Sequence, residues 1–362
     1  QNPVLETSYA VLPHSADVRV SHEGISTFAA SLVETLGELP SSSSWANELL
    51  HPIPALHLPQ EQVDWIFLVS GLLNFSFWSE FESVELGRFA LAWRDGVDGK
   101  GDGKQVNHAG YWSLPAAINR ALEVGIPATS PTFWIEATDE QWKSIFRACK
   151  DSKESIPLLH ERIRLLRQTG QILIDEWGGS FFNFLQSLGP RYDALEIVQK
   201  VVQTFPAFRD ENIHPQVGRV YLWKRAQILA AELWAAFSSC PERYMQITNI
   251  SALTMFADYR VPQILQYLGL LVYSPRLLNI LSSMTSLGSG SELELSIRCG
   301  SIVAVEEVRL AVCSILSNQG RGKEAARVNA VLLDFWLWGR AKELEKEGKT
   351  RTQCHRTRSI WY

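Results

Sequence analysis

Apolar residues recur every three to four positions through most of this chain, the spacing that stacks side chains on one face of an α-helix. The pattern predicts a helix over Gly24–Leu36, a buried one over Val63–Phe77, and an almost unbroken helical run from Ser113 onward. In that run Ser113 caps a helix through Leu122 that Gly125 ends, and Thr138 or Asp139 caps one through Cys149. Ile156–Glu176 is long and amphipathic and stops at Gly178-Gly179. Further helices are predicted over Tyr192–Phe205, Val220–Phe237, Pro262–Leu268, Pro275–Leu281, Ser301–Leu316 and Lys323–Glu347. Ala226, Leu229, Leu233 and Phe237 form one apolar stripe. Only near residues 84–112 does the period fall to two. Val84–Trp93 alternates like a strand, Asp95–Gly103 is a Gly/Asp-rich loop, and His108–Trp112 pairs back. This hairpin is the one β element the pattern supports. Ser41–Ser44 reads as loop and His51–Pro59 as extended connector. No fixed period repeats, which argues against a solenoid. The expected fold is mainly α: a single helical domain over 1–362 with a small β hairpin inserted at about 84–112.

Composition narrows the function. Apolar residues make up 46% of the 362, enough for a sizeable core, and the 13 Trp can fill that core or wall a pocket for a flat ligand. The formal net charge of −5, with no basic stripe, favours a small ligand over a long nucleic acid. The basic tail Lys342–Arg358 is interrupted by Glu343, Glu345 and Glu347 and reads as a solvated helix. Five widely spaced cysteines without a CxxC pair indicate neither a disulfide framework nor a zinc site, which fits a reducing, cytoplasmic compartment. No apolar run is long enough to span a membrane, and the N-terminal residues lack signal-peptide character. Walker A, HExxH, GxSxG and GxGxxG signatures are all missing.

Polar residues set in apolar surroundings mark the candidate chemistry. Asp258 precedes a helix whose first turn holds Pro262. It reads either as an N-terminal capping carboxylate paired with Arg260, or as a carboxylate in a dry pocket that stabilises a sugar cation. Lys224, off the apolar stripe of its helix, is either a snorkelling lysine or a phosphate clamp. Asp334 lies among six large apolar residues and sits on an exposed helix face or meets a ligand. Asn74, Phe75, Phe77 and Trp78 form core or a stacking wall with one amide. His14, in a polar cluster with Asp17 and Arg19, fits a local turn role or a substrate contact.

These residues also lie in strings that carry a resemblance. His14-Ser15-Ala16-Asp17-Val18-Arg19, Leu73-Asn74-Phe75-Ser76-Phe77-Trp78, Gly110-Tyr111-Trp112-Ser113-Leu114 and Ala117-Ile118-Asn119-Arg120-Ala121-Leu122 run in order. Gly178-Gly179-Ser180-Phe181, Lys224-Arg225-Ala226-Gln227-Ile228-Leu229, Phe256-Ala257-Asp258-Tyr259-Arg260-Val261-Pro262-Gln263 and Leu332-Leu333-Asp334-Phe335 follow. Together they resemble the queuosine salvage proteins, queuosine 5′-phosphate N-glycosylases, over nearly the whole chain. The resemblance implies a helical fold similar to helix-hairpin-helix DNA glycosylases and hydrolysis of queuosine 5′-monophosphate to release queuine. It implies that Asp258 is catalytic and that Lys224 binds the 5′-phosphate. Asn74, Phe75, Trp78, Phe256, Asp334, Arg260 and His14 are the further substrate-binding candidates. No metal or cofactor is implied, and the expected partner is a free nucleotide, met by a monomer without a stable nucleic-acid complex. The rivals are a module that binds a modified nucleoside without cleaving it, a nucleic-acid glycosylase, and a helical scaffold.

Overall fold

The apolar faces of the helices close on one contiguous hydrophobic core that draws residues from Val4 to Leu344. A computed structural model describes residues 2–40, 42–53, 59–81, 83–189, 191–238, 245–349 and 353–362. It is mainly helical. Helices occur at His22–Glu34, Ser113–Glu123, Leu159–Trp177, Ala194–Thr204, Val261–Tyr267 and Pro275–Ser282, each within a few residues of its expected place. Short helices at Pro3–Val11, Pro131–Glu136 and Phe181–Ser187 were not expected.

Where helix ends depart from expectation, a local cause is visible. Trp223 has a left-handed φ of 46°, so the central helix starts at Lys224 and runs to Phe237, while Val220 and Tyr221 belong to a strand. Ser291 caps a 27-residue helix, Glu292–Asn318, that starts well before Ser301. Its first turns are buried on all sides and therefore show no period. The last long segment breaks into Gly322–Ala325 and Ala330–Lys346, the latter capped by Asn329. Helix Asp139–Ile145 stops early because the Cys149 amide bonds to the Ala90 carbonyl at the hairpin edge.

Gln60–Ile66 widens into a π-helical turn, Phe67–Leu72, and ends there, short of Phe77. The carbonyls left open are taken by two buried guanidiniums. Arg225 bonds to Gly71 and Leu72, and Arg162 to Leu73 and Phe75. This fixes the stretch that carries Asn74.

The expected hairpin exists as Ala90–Arg94 antiparallel to Gln105–Ala109, but Tyr111 and Trp112 form a 3₁₀ turn rather than strand. It is not the sole β element. Val18–Val20 pairs with Leu271–Tyr273, Tyr192–Asp193 with Ile247–Thr248, and Glu211–His214 with Gly218–Tyr221. Within the expected connector at 51–59, residues 54–58 lie outside the described residues, as does Ser41 of the serine loop. Among the described residues no helix is long and apolar enough to cross a membrane.

Candidate active site

Two helices carry a stripe of residues to one cavity of about 260 Å³. From the Lys224–Phe237 helix come Lys224, Ile228, Glu232 and Ala235, spaced as one helical face. The stripe Ala226, Leu229, Leu233 and Phe237 faces the opposite way, into the core. From the Ala330–Lys346 helix come Asp334, Phe335, Trp338, Gly339 and Lys342. The segment Phe256–Arg260, the 3₁₀ turns Ser42–Asn47 and Gly110–Trp112, and the stretch Asn74–Phe77 close the remaining sides.

Three titratable groups meet in the cavity. Asp258 accepts the Arg260 and Val261 amides through Oδ1 at 2.8 and 2.9 Å, so it caps the helix Val261–Tyr267. Its Oδ2 accepts no hydrogen bond among the described residues. Lys224 is 5% exposed, and its ammonium has no hydrogen-bond partner among them either. Burial pulls its pKa down to about 8, against the attraction of Asp258 and Asp334. Asp334, also 5% exposed, accepts the Phe256 amide at 2.9 Å. Burial, and then the Asp258 charge, hold its carboxyl well above the usual range. The capping reading of Asp258 is thus met through Oδ1, although the Arg260 side chain pairs with Glu345 and not with Asp258.

The two ends differ in sign. At the rim, Arg88, Arg260 and Lys342 line the opening, with Glu345 bonded to Arg260 at 2.8 Å and to Lys342 at 3.4 Å. Burial and the neighbouring Arg260 lower the Lys342 pKa to about 8. At the inner end, Glu232 accepts the Trp45 indole N–H, and burial raises its carboxyl to about 7. His51 donates from Nδ1 to the Trp45 carbonyl, which leaves Nε2 as acceptor for the Tyr111 hydroxyl at 3.3 Å. Burial holds this imidazole neutral, at about 3.

A second charged cluster supports the first from behind. Arg298 bonds to Asp210 through both terminal nitrogens at 3.0 and 2.6 Å, and to Glu294 at 3.3 Å. Its Nε donates to the carbonyl of Ala257, next to Asp258, at 3.0 Å. Asp210 in turn accepts the Lys224 amide at 3.3 Å. Among the described residues no group of three His, Cys, Asp or Glu is arranged to hold a metal ion.

A profile of queuosine salvage proteins matches residues 51–362. The chain belongs to the queuosine salvage protein family. A mouse relative, a queuosine 5′-phosphate N-glycosylase/hydrolase, is 38% identical over 361 residues, covering 99% of this chain and 98% of its own. Relatives of the same name from Schizosaccharomyces pombe and Sphaerobacter thermophilus are 38% and 32% identical, covering 99% of this chain and 99% and 97% of their own.

In this queuosine salvage protein the cavity gathers Asn74, Lys224, Phe256, Asp258, Arg260 and Asp334, and omits three other candidates. Phe75 is core, wedged between the Arg162 and Arg225 guanidiniums at 4.2 and 5.1 Å. Trp78 is turned away after Ser76, whose φ is +54°. It packs on Tyr259 and Tyr362, with Arg358 over its ring at 3.5 Å. His14 is exposed in the turn Leu12–His14, beside His214. Its neighbour Asp17 is held by Ser274 and Arg276, a structural tie. Phe77, Trp45, Tyr111, Trp112 and Trp338 supply the aromatic walls instead. Of the charged lining, Glu232, Glu48, Arg88 and Lys342 were not expected. The signal for Glu232 was available: an acid eight positions after Lys224 in an apolar helix.

Proposed function

We propose that this chain hydrolyses the N-glycosidic bond of queuosine 5′-phosphate and releases queuine, the activity that its relatives are named for. One observation carries the reading. An aromatic-walled cavity brings a carboxylate with one uncommitted oxygen, Asp258, beside a buried ammonium without a partner among the described residues, Lys224. As the C1′–N bond breaks, positive charge builds on the ribose, and a fixed carboxylate in a site closed to water lowers that barrier. Water then adds at C1′ as the C1′–N bond is lost, and the proton it gives up replaces the one that the departing base takes. The 7-deaza base has no N7 to protonate. Asp334, whose carboxyl burial holds well above the usual range, is the group that gives a proton to an acceptor atom of the base instead. Lys224 takes the 5′-phosphate, and the Arg88, Arg260 and Lys342 rim draws in the anion. Asn74 and Phe256 complete the contacts to the substrate.

The same reading covers a single domain similar in fold to helix-hairpin-helix glycosylases. It acts as a cytoplasmic monomer on free nucleotides, with no cofactor and no stable nucleic-acid complex. The test is to incubate the protein with queuosine 5′-phosphate, queuosine-containing tRNA and guanosine 5′-monophosphate, and to follow free base by mass spectrometry. Queuine from the first substrate alone supports the proposal. Binding without release would make the protein a nucleoside carrier, and release from tRNA would make it a nucleic-acid glycosylase.

A further inference from the structure

We propose that the inner end of the cavity is a receptor for an organic ammonium group, and that Glu232 recognises there the secondary amine of the queuine side chain. The assignment of that particular amine rests on the queuosine 5′-phosphate reading. Glu232 plays no part in the bond-breaking step argued above. It lies eight residues beyond Lys224 on the same helical face, about 12 Å along the axis. That separation suits a nucleotide lying along the helix, its phosphate at one end and its base substituent at the other.

The surroundings of Glu232 call for a cation. The side chain is 9% exposed and lines the cavity, and the exposed Glu48 lines it close by. Among the described residues no positive group forms an ion pair with Glu232, which feels Lys224 only along the stripe. Lys100 approaches from behind, but its ammonium is spent on the carbonyls of Ala46, Glu48 and His51. His51 is fixed as the neutral tautomer between Trp45 and Tyr111. Lys224 lies at the far end of the stripe, beside Asp258. If Glu232 served only to hold the Trp45 indole, a neutral amide would do as well. A buried carboxylate without a counter-ion is unfavourable and is relieved by a bound cation. The walls point the same way. Trp45 lies tilted over His51 at 4.3 Å, and Tyr111 meets Trp112 edge-on at 5.0 Å, so the acid sits in an aromatic-lined part of the cavity. A carboxylate among aromatic rings suits a protonated amine far better than a phosphate or a neutral ring. Burial, which holds the Glu232 carboxyl near 7, leaves it mostly ionised just above neutrality and able to respond to the incoming charge.

The experiment is isothermal titration of the protein and of Glu232→Gln with queuine and with 7-deazaguanine, which lacks the amine, at a pH of about 8. Gln keeps an oxygen for the Trp45 N–H, so the fold is expected to stand, checked by thermal melting. Glu232→Gln should weaken queuine by roughly 10- to 100-fold, the range of a charge-assisted contact, and leave 7-deazaguanine within about twofold. Queuine affinity should also fall as the pH drops through about 7 in the parent and stay flat in the variant. An equal change for both ligands, no change for either, or no queuine binding by the parent overturns the proposal. Glu232-dependent queuine binding without release of base from the nucleotide would sustain the receptor and sink the hydrolase reading. Hydrolysis with an unselective Glu232→Gln would do the reverse.

Discussion

Two buried charge clusters meet behind and within the cavity, and they differ in completeness. Around Arg298 the guanidinium engages Asp210 twice and Glu294 once, and its remaining N–H reaches the Ala257 carbonyl. Tyr362 covers its face at 4.1 Å. Around Lys224 the ammonium has no hydrogen-bond partner among the described residues, and Asp258 and Asp334 each commit one oxygen to backbone amides. The first is fully buried, whereas in the second Lys224 and Asp334 are buried and Asp258 is partly exposed at the cavity. The first satisfies its charges internally and is a strut, and the second leaves them for a ligand. The strut grips the residue before Asp258 and the amide of Lys224, so the open cluster takes its geometry from the closed one.

This contrast can be broken from either side. The largest effect is expected for Arg298→Met, which strands two buried carboxylates. Denaturant unfolding should report a loss of about 3–5 kcal/mol, with activity falling alongside. An unchanged midpoint would mean that the cluster is not a strut. Asp258→Asn leaves an oxygen to accept the Arg260 and Val261 amides, so stability should hold. Turnover should nevertheless drop by about 10²–10³, or roughly 3–4 kcal/mol. Rates within a few-fold of the parent would remove Asp258 from the chemistry.

Lys224→Ala should cost about 1.5–3 kcal/mol in kcat/KM for the monophosphate and much less for the nucleoside. Equal losses would move the phosphate elsewhere. The same residue sets a pH limb. With a pKa of about 8, its charge is present below that pH and lost above it, whereas the substrate phosphate is already dianionic above roughly 6. So kcat/KM for the monophosphate should decline above pH about 8, and the limb should be absent for the nucleoside. Smallest is the contrast between neighbours. Phe77→Leu should raise KM, because this ring belongs to the core and also lines the cavity. Phe75→Leu should lower stability by about 1 kcal/mol with KM unchanged. Matching behaviour would erase the division between wall and core.

The sequence disclosed the helices because each has a core face and another face, and it hid whatever lacks that contrast. The start of the Glu292–Asn318 helix is buried all round and carries no period. Tyr192–Asp193 and Ile247–Thr248 are two residues each, too short to alternate. Lys224 was legible as lying off the apolar stripe, but the pattern cannot tell a face turned to solvent from one turned to a cavity. Phe75 and Trp78 were misplaced for a related reason. The π-helical turn and the left-handed Ser76 reset which side each residue faces, and no periodicity records that. The four sequence segments that bring Trp45, Tyr111, Lys224 and Asp334 together are far apart, so their meeting is a product of tertiary packing.

That separation along the chain governs the order of assembly. Asn2 donates to Gln227, and the Ser76 amide donates to the Tyr362 carbonyl, so distant segments are stitched together across hundreds of residues. Helices form from local contacts, whereas these closures must first overcome loop entropy. On refolding, the far-ultraviolet helical signal should therefore return first and glycosidic cleavage last. Because Tyr362 lines the cavity and Trp45 and Tyr111 face it from far earlier in the chain, the cavity walls close only when these distant segments have met.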